Sequence, residues 1–159
     1  MSIVDTISGD ELRDLYRELI LDHARKPRHF GKLDSATHCA EGINPLCGDK
    51  LKLYLLLDDA GRIRDAKFEG SGCAISVASA SLLTDSVIGL HENDALEKFE
   101  HVTNRLTGSA GDSSAKIDLG KLRALEGVRE FPMRVKCATL AWHALHTAIK
   151  QESTPASTE

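Results

Sequence analysis

The chain has 159 residues, of which 42% are hydrophobic, and this length and composition suit one compact domain with its own core. The net charge of −4 and the small aromatic content (one Trp, two Tyr and four Phe) argue against a nucleic-acid-binding protein. No segment approaches the roughly 18 consecutive apolar residues of a membrane span, and the acidic N-terminus MSIVDTISGDEL lacks the order of a signal peptide. We therefore expect a cytoplasmic protein with no membrane or nucleic-acid partner, whose thiols stay reduced.

The first predicted element is a helix over SGDELRDLYRELILDHARKP. Ser8 and Glu11 fit a capping box, and Pro27 marks the end of the helix. His23 and His29 flank that end and are expected to cap the helix or to be solvated. Apolar residues recur on one helical face: Leu12, Leu15, Tyr16, Leu19 and Ile20.

Three antiparallel strands are expected next. The segment LKLYLLLDDAGRIRDAKFEG contains two strand-like runs around the turn signal at residues 58–61, which predicts a β-hairpin. The preceding segment THCAEGINP is predicted to be the third strand.

Helices dominate the rest of the chain, with a loop-like composition at residues 107–116. The predicted helices cover residues 73–89, 92–107, 119–125 and 137–150. A small sheet followed by helices predicts an α+β fold, with a three-stranded antiparallel sheet packed against several helices. We expect a single domain over residues 1–150 and a polar C-terminal tail over residues 151–159.

Three of the four cysteines fall at junctions between predicted elements. Cys47 lies in the turn NPLCGD, Cys73 follows Gly-Ser-Gly where a strand meets a helix, and Cys137 is expected at the start of the last helix. A helix N-terminus stabilises thiolate, the form that binds metals. Asp49, two residues after Cys47, can reach the same metal if the turn is tight. Cys39 lies mid-strand and is expected to be a small core residue.

These residue types suit a metal site without selecting its occupant. Three sulfurs and one carboxylate oxygen would complete the tetrahedral shell of Zn²⁺, and the same ligands could hold a [2Fe–2S] cluster. Arg134 and Lys136 are near in sequence and could offset the negative charge. Because no CxxC pair is present, spacing alone leaves open that the cysteines are merely buried apolar residues. His143 and His146, spaced i, i+3, are expected to have surface or packing roles.

Four segments together resemble the NifU/IscU/SufU group of iron–sulfur cluster assembly proteins: LYRELILDHARKPRHFG, NPLCGD, FEGSGCAISVASAS and RVKCATLAW. The segments occur in the order typical of that group, and the resemblance covers about residues 11–149. The resemblance implies a SufU/IscU-like fold. It also implies a ligand set of Cys47, Asp49, Cys73 and Cys137.

Within the group, the sequence is most similar to the SufU type. Lys136 stands directly before Cys137, the last of the three motif cysteines, where IscU-type scaffolds carry a histidine. The chain also has an insertion around residues 108–126, which is typical of SufU-type proteins.

This resemblance implies a zinc protein that accepts persulfide sulfur from a SufS-like, PLP-dependent cysteine desulfurase and serves downstream iron–sulfur assembly proteins. It implies that Cys47 is the sulfur acceptor and that Arg134 lies near the exchanged ligand. The main alternative is a non-enzymatic scaffold that assembles and transfers a [2Fe–2S] cluster, holding iron or a cluster in place of zinc. A third alternative is an adaptor with a purely structural zinc.

Overall fold

A computed structural model describes residues 9–45, 48–107, 120–128, 131–151 and 156–157. The strands are β1 (His38–Asn44), β2 (Asp49–Leu57), β3 (Ile63–Ser71) and the two-residue β4 (Ala156–Ser157). The helices are α1 (Gly9–Arg25), α2 (Ala74–Val87), α3 (Glu92–Thr107) and α4 (Pro132–Lys150), with a 3-10 helix at Gly120–Val128.

The sheet has the strand order β3-β2-β1-β4, and its three long strands are antiparallel. Because side chains alternate along a strand, one face of β2 carries the buried row Leu51, Leu53, Leu55 and Leu57. This face packs on α4, while α2 contacts β3, α4 and α1. Trp142 of α4 is fully buried in this core. The α+β fold predicted from the sequence is confirmed.

The C-terminal tail contributes a short edge strand, β4, that was not predicted from the sequence. Ala156 and Ser157 pair in parallel with Gly42 and Ile43, so β4 extends the sheet beyond β1. The predicted division into a domain and a tail stays a prediction, although this short pairing ties part of the tail to the domain.

The last helix begins earlier than predicted, and this changes the setting of one cysteine. It starts at Pro132 rather than at Cys137. Proline suits the first helical position because its φ is already helical and the amide hydrogen it lacks would have no partner there. Cys137 therefore lies in the second turn of α4, and the prediction that it sits at the helix start is wrong.

Two further expectations about burial are wrong. His23 is buried rather than solvated, because α1 packs against α2 and the Ser81 hydroxyl lies 2.7 Å from His23 Nδ1. The backbone N–H of Arg28 also donates to that hydroxyl at 2.8 Å. Cys39, expected in the core, is exposed because the strand alternation places it on the face of β1 away from the helices.

Some expectations fall outside the described residues, namely the capping box at Ser8, most of the 107–116 loop, and Cys47. Among the helices of the described ranges, none is long and apolar enough to cross a membrane.

Candidate metal centre

Three predicted ligands meet at one end of the sheet, on its helix-facing side. Asp49 is the first residue of β2 and continues the buried row of that strand. Cys73 lies just before α2, and Cys137 lies on α4. One ligand atom from each of these residues lies within 4.8 Å of the other two. Three elements that are distant in sequence thus converge on a single group of two sulfurs and one carboxylate.

Cys73 is held by backbone geometry at the start of α2. It is the N-cap residue, and its sulfur accepts a hydrogen bond from the backbone N–H of Ser76 at 3.4 Å. Its own backbone N–H donates to Asp49 Oδ1 at 2.9 Å, while its Sγ lies 3.9 Å from Asp49 Oδ2. The helix start therefore orients both the sulfur and the carboxylate.

The two glycines of the Gly-Ser-Gly motif lie where a side chain would not fit. Gly70 packs against the backbone of β2, and Gly72 packs against the carboxylate of Asp49. Gly70 has a φ of +150°, and a Cβ there would lie 2.2 Å from the carbonyl oxygen of Lys50. A Cβ on Gly72 would lie 2.6 Å from Asp49 Oδ1. Any residue larger than glycine at position 72 would therefore occupy the space next to the Asp49 carboxylate.

Cys137 is buried, and the nearby side chain of Asn44 contacts its sulfur. The carboxamide Nδ2 of Asn44 lies 3.7 Å from Cys137 Sγ, at hydrogen-bonding distance for a sulfur acceptor. Asn44 is the last residue of β1 and pairs directly with Asp49 in the β1–β2 ladder. The same residue pair of the β1–β2 ladder therefore supplies the carboxylate of the group and an amide N–H donor for the sulfur of Cys137.

The chemistry of this group fits a bound cation. The Asp49 side chain is fully buried, and a buried carboxylate beside two thiols is costly unless a positive charge compensates it. In a tetrahedral zinc site with metal–sulfur bonds of about 2.3 Å, ligand atoms lie roughly 3.5 to 3.8 Å apart. The observed sulfur–oxygen separation of 3.9 Å is close to that spacing. The residues therefore fit a small, thiophilic metal such as zinc.

The remaining site residues predicted from the sequence lie as follows. Cys47 lies outside the described residues, in the 45–48 connection between β1 and β2. Arg134 is exposed on the first turn of α4, where its guanidinium lies 4.7 Å from the ring centroid of Phe131. Lys136 is half-buried. Cys39 is not part of the group and lies on the other face of β1.

The histidine pair of α4 has a packing role. The rings of His143 and His146 lie 5.5 and 5.1 Å from that of Phe99 on α3. Burial, reinforced by the nearby His146, lowers the pKa of His143. Neither histidine belongs to a group of three or more metal-binding side chains in the described ranges.

Asn44 is the residue near the site that sequence reasoning missed. It stands within the NPLCGD motif already singled out for its cysteine, and it follows the outward-facing Ile43 of β1. Strand alternation therefore predicts an inward-facing amide, a buried polar side chain that needs a partner.

Comparison with known proteins places this arrangement in a family. The NifU-like N-terminal domain family matches residues 15–138, which include Asp49, Cys73 and Cys137. The chain belongs to this family. The group predicted from the four sequence motifs is thereby confirmed.

Relatives within the NifU-like family carry two kinds of name. The zinc-dependent sulfurtransferase SufU of Bacillus subtilis is 43% identical over 141 residues, covering 89% of this chain and 93% of that protein. The iron–sulfur cluster assembly scaffold protein IscU of Streptococcus pyogenes is 39% identical, covering 90% of this chain and 87% of that protein. Both functions that the sequence motifs implied are therefore represented among similar proteins.

Solved structures of NifU-like proteins share the fold. A crystal structure of a protein described as an iron–sulfur cluster assembly scaffold for the SUF system, from Fervidobacterium islandicum, is 35% identical with a TM-score of 0.75. The match covers 89% of this chain and 99% of that one. The N-terminal part of a NifU-like protein from Brucella abortus, 26% identical, also has a TM-score of 0.75 and covers 88% of this chain and 95% of that one.

Proposed function

We propose that this chain is a zinc-dependent sulfur acceptor in iron–sulfur cluster assembly, which takes persulfide sulfur from a PLP-dependent cysteine desulfurase. The observation that carries the proposal is the convergence of Asp49, Cys73 and Cys137 within 4.8 Å. Two sulfurs and one oxygen are one ligand short of a tetrahedral zinc shell. Similarity to the SufU sulfurtransferase over nearly the whole chain supports the same function.

Cys47 is proposed as the fourth ligand and as the sulfur acceptor. It belongs to the four-residue connection 45–48, whose ends are held together because Asn44 pairs with Asp49. Cys47 also stands only two residues before Asp49 in the sequence, which supports its assignment to the same site. Cys73 caps α2 and Cys137 lies within α4, so each is tied to a helix. A loop thiol can move toward a docked partner at less conformational cost than a thiol fixed on a helix.

The sulfur transfer proceeds as a thiol–disulfide-type exchange. Zinc, when bound, keeps its cysteine ligands deprotonated at neutral pH and does not change redox state. The Cys47 thiolate attacks the terminal sulfur of the desulfurase persulfide and forms a new S–S bond. The original S–S bond breaks, the desulfurase cysteine leaves as a thiolate, and no net oxidation occurs. Arg134, exposed one turn before Cys137, is proposed to lie near the ligand that is exchanged.

The second candidate function is a scaffold that assembles a [2Fe–2S] cluster and hands it to downstream proteins. The scaffold names among the relatives favour it, and the same sulfur and carboxylate donors could hold a cluster as cargo. A third candidate, an adaptor with a structural zinc, is less favoured because structural zinc sites use mainly Cys and His and here the group includes a carboxylate.

Metal analysis and persulfide mapping separate these functions. Freshly purified protein is expected to be colourless and to contain one zinc per chain by elemental analysis. Incubation with a PLP-dependent cysteine desulfurase and cysteine, followed by alkylation and mass spectrometry, is expected to add the mass of one sulfur atom at Cys47. Cys47→Ser should abolish this labelling and the stimulation of the desulfurase.

Cys39→Ser is the matched control, because Cys39 is an exposed thiol outside the metal-binding group. It should leave metal content and sulfur transfer unchanged. A brown protein whose persulfide forms chiefly on Cys137, with Cys47→Ser still stimulating the desulfurase, would support the scaffold instead. Zinc without any persulfide would support the adaptor.

A further inference from the structure

Asn44 occupies a fully buried position beside the metal-binding group. Its side chain points to the helix-facing side of the sheet, as does that of its ladder partner Asp49. The carboxamide Nδ2 lies 3.7 Å from Cys137 Sγ. A thiolate accepts hydrogen bonds and cannot donate them, so the N–H side of the amide is the side that must face the sulfur.

The two sulfurs of the metal-binding group, those of Cys73 and Cys137, obtain N–H donors in different ways. Cys73 is at a helix start, where the free backbone N–H of Ser76 reaches its sulfur. Cys137 lies five residues after the first residue of α4, where backbone N–H groups are bonded within the helix. At Cys137 the side chain of Asn44 is placed to supply a donor.

A buried amide destabilises the folded protein unless its polar atoms find partners, so it is not expected at a position that only has to be filled. Asn44 is 0% exposed, and its Oδ1 has no hydrogen-bond partner among the described residues. A leucine of similar size would fill the same space without burying an amide. The presence of a polar side chain here is explained if its N–H groups act on the sulfur.

We propose that Asn44 is a positioning residue for the metal centre, donating an N–H···S hydrogen bond that orients the Cys137 thiolate toward Asp49 and Cys73. The bond also withdraws electron density from a site in which three thiolates and a carboxylate would surround one divalent ion. This inference rests on the proposed zinc function. It assigns Asn44 to the layer that supports the ligands and not to the ligands themselves.

The test compares Asn44→Leu and Asn44→Asp with wild type in two measurements. The first is competition for Zn²⁺ against a chromophoric chelator. The second is the energy of the sulfur-to-metal charge-transfer band after Co²⁺ replaces zinc. Asn44→Leu is expected to lose about 10- to 100-fold in zinc affinity, as is usual when a supporting partner of a ligand is removed. Its charge-transfer band should move to lower energy, because the sulfur regains electron density.

Asn44→Asp keeps the size of the side chain but replaces the donor with a carboxylate that repels the thiolate. It should lose more affinity than Asn44→Leu. The control is Ser81→Ala, which removes a buried hydroxyl between α1 and α2, away from the site. This control should lower stability while leaving the zinc affinity and the cobalt band at their wild-type values.

Wild-type affinity and an unshifted band in Asn44→Leu would overturn the proposal. If Asn44→Leu does not fold, Asn44→Asp is measured in its place, and a wild-type zinc affinity in that variant would also overturn the proposal. Failure of the proposed function gives different results. If the site does not hold zinc, the wild-type protein and Ser81→Ala would themselves show no stoichiometric zinc and no sulfur-to-cobalt band. If zinc is bound but sulfur is not transferred, the persulfide mapping fails in wild type while the effects of Asn44→Leu on zinc affinity and on the cobalt band remain.

Discussion

Gly72→Ala should weaken metal binding through a single contact. The added Cβ would lie 2.6 Å from Asp49 Oδ1 and 3.0 Å from its Cγ. The φ of Gly72 lies outside the left-handed region that favours glycine, so the expected cost of alanine is this contact. The carboxylate cannot simply rotate away, because its Oδ1 accepts the backbone N–H of Cys73 at 2.9 Å. The contact must be relieved by moving Asp49.

The size of the effect follows from that displacement. The Asp49 oxygen must move by roughly half an ångström before the contact becomes tolerable. Displacing or freeing a metal ligand in this way usually costs about 10- to 100-fold in metal affinity, which corresponds to about 1.4 to 2.8 kcal/mol. We expect the loss to be no larger than that in Asp49→Ala, in which the carboxylate is absent altogether.

A double-mutant cycle measured by zinc competition isolates the contact. In the Asp49→Ala background the carboxylate is gone, and the nearest remaining atom of residue 49 is its Cβ at 3.2 Å. Gly72→Ala should then cost little, giving a coupling free energy of about 1 to 3 kcal/mol. Ser71→Ala, at the neighbouring exposed residue, should bind zinc like wild type. Equal losses from Gly72→Ala in both backgrounds would refute the steric argument.

Three further predictions follow from the structure. Asp49→Ala should retain zinc on the sulfur ligands, because oxygen is a weaker partner than thiolate at a thiophilic site, and complete loss of zinc by elemental analysis would contradict this. Ser81→Ala should lower the free energy of unfolding by about 1–3 kcal/mol, since its hydroxyl is shared by the His23 ring and the backbone N–H of Arg28; a denaturation midpoint equal to that of wild type would contradict it. The hydrogen bond to Glu69 raises the pKa of Tyr54 to about 12 from an ordinary value of 10.0. The protonated tyrosine therefore stabilises the folded state. Its contribution to the free energy of unfolding is complete below pH 10 and is lost as the pH rises through about 12. Glu69→Gln should bring the pKa back toward 10 in a spectrophotometric titration, and an unchanged pKa would contradict the assigned cause.

Local patterns were sufficient to predict most of the elements. The two strand-like runs around the turn signal at residues 58–61 predicted β2 and β3, and Gly89 separated α2 from α3. These signals are short-range, because burial on one face imposes a period of two on a strand and of 3.6 on a helix. The glycines at the strand–helix junction also marked Cys73 as a candidate ligand, while the full ligand set was implied by the family resemblance.

Burial on particular faces could not be predicted in the same way. His23 looked solvated at a helix end, yet it is buried because Ser81, 58 residues later, provides a hydroxyl for it. Cys39 looked like a core residue, yet it faces outward because the register of β1 turns Ala40 and Gly42 toward α4. In both cases the outcome depends on which element packs against which face.

By itself, the sequence determined most of the element types and the family, because turn residues, hydrophobic periodicity and cysteine motifs act over a few residues. The candidate ligand set was implied by the family resemblance. Only the tertiary structure decided how those ligands meet. The β1–β2 register sets Asn44 opposite Asp49, α2 brings a backbone N–H to the carboxylate, and α4 starts early enough to place Cys137 inside a helix. The contact of Cys73 with Asp49 joins residues 24 positions apart, and that of Asn44 with Cys137 joins residues 93 positions apart. Their geometry depends on the packing of α2 and α4 against the rest of the domain, which no local pattern encodes.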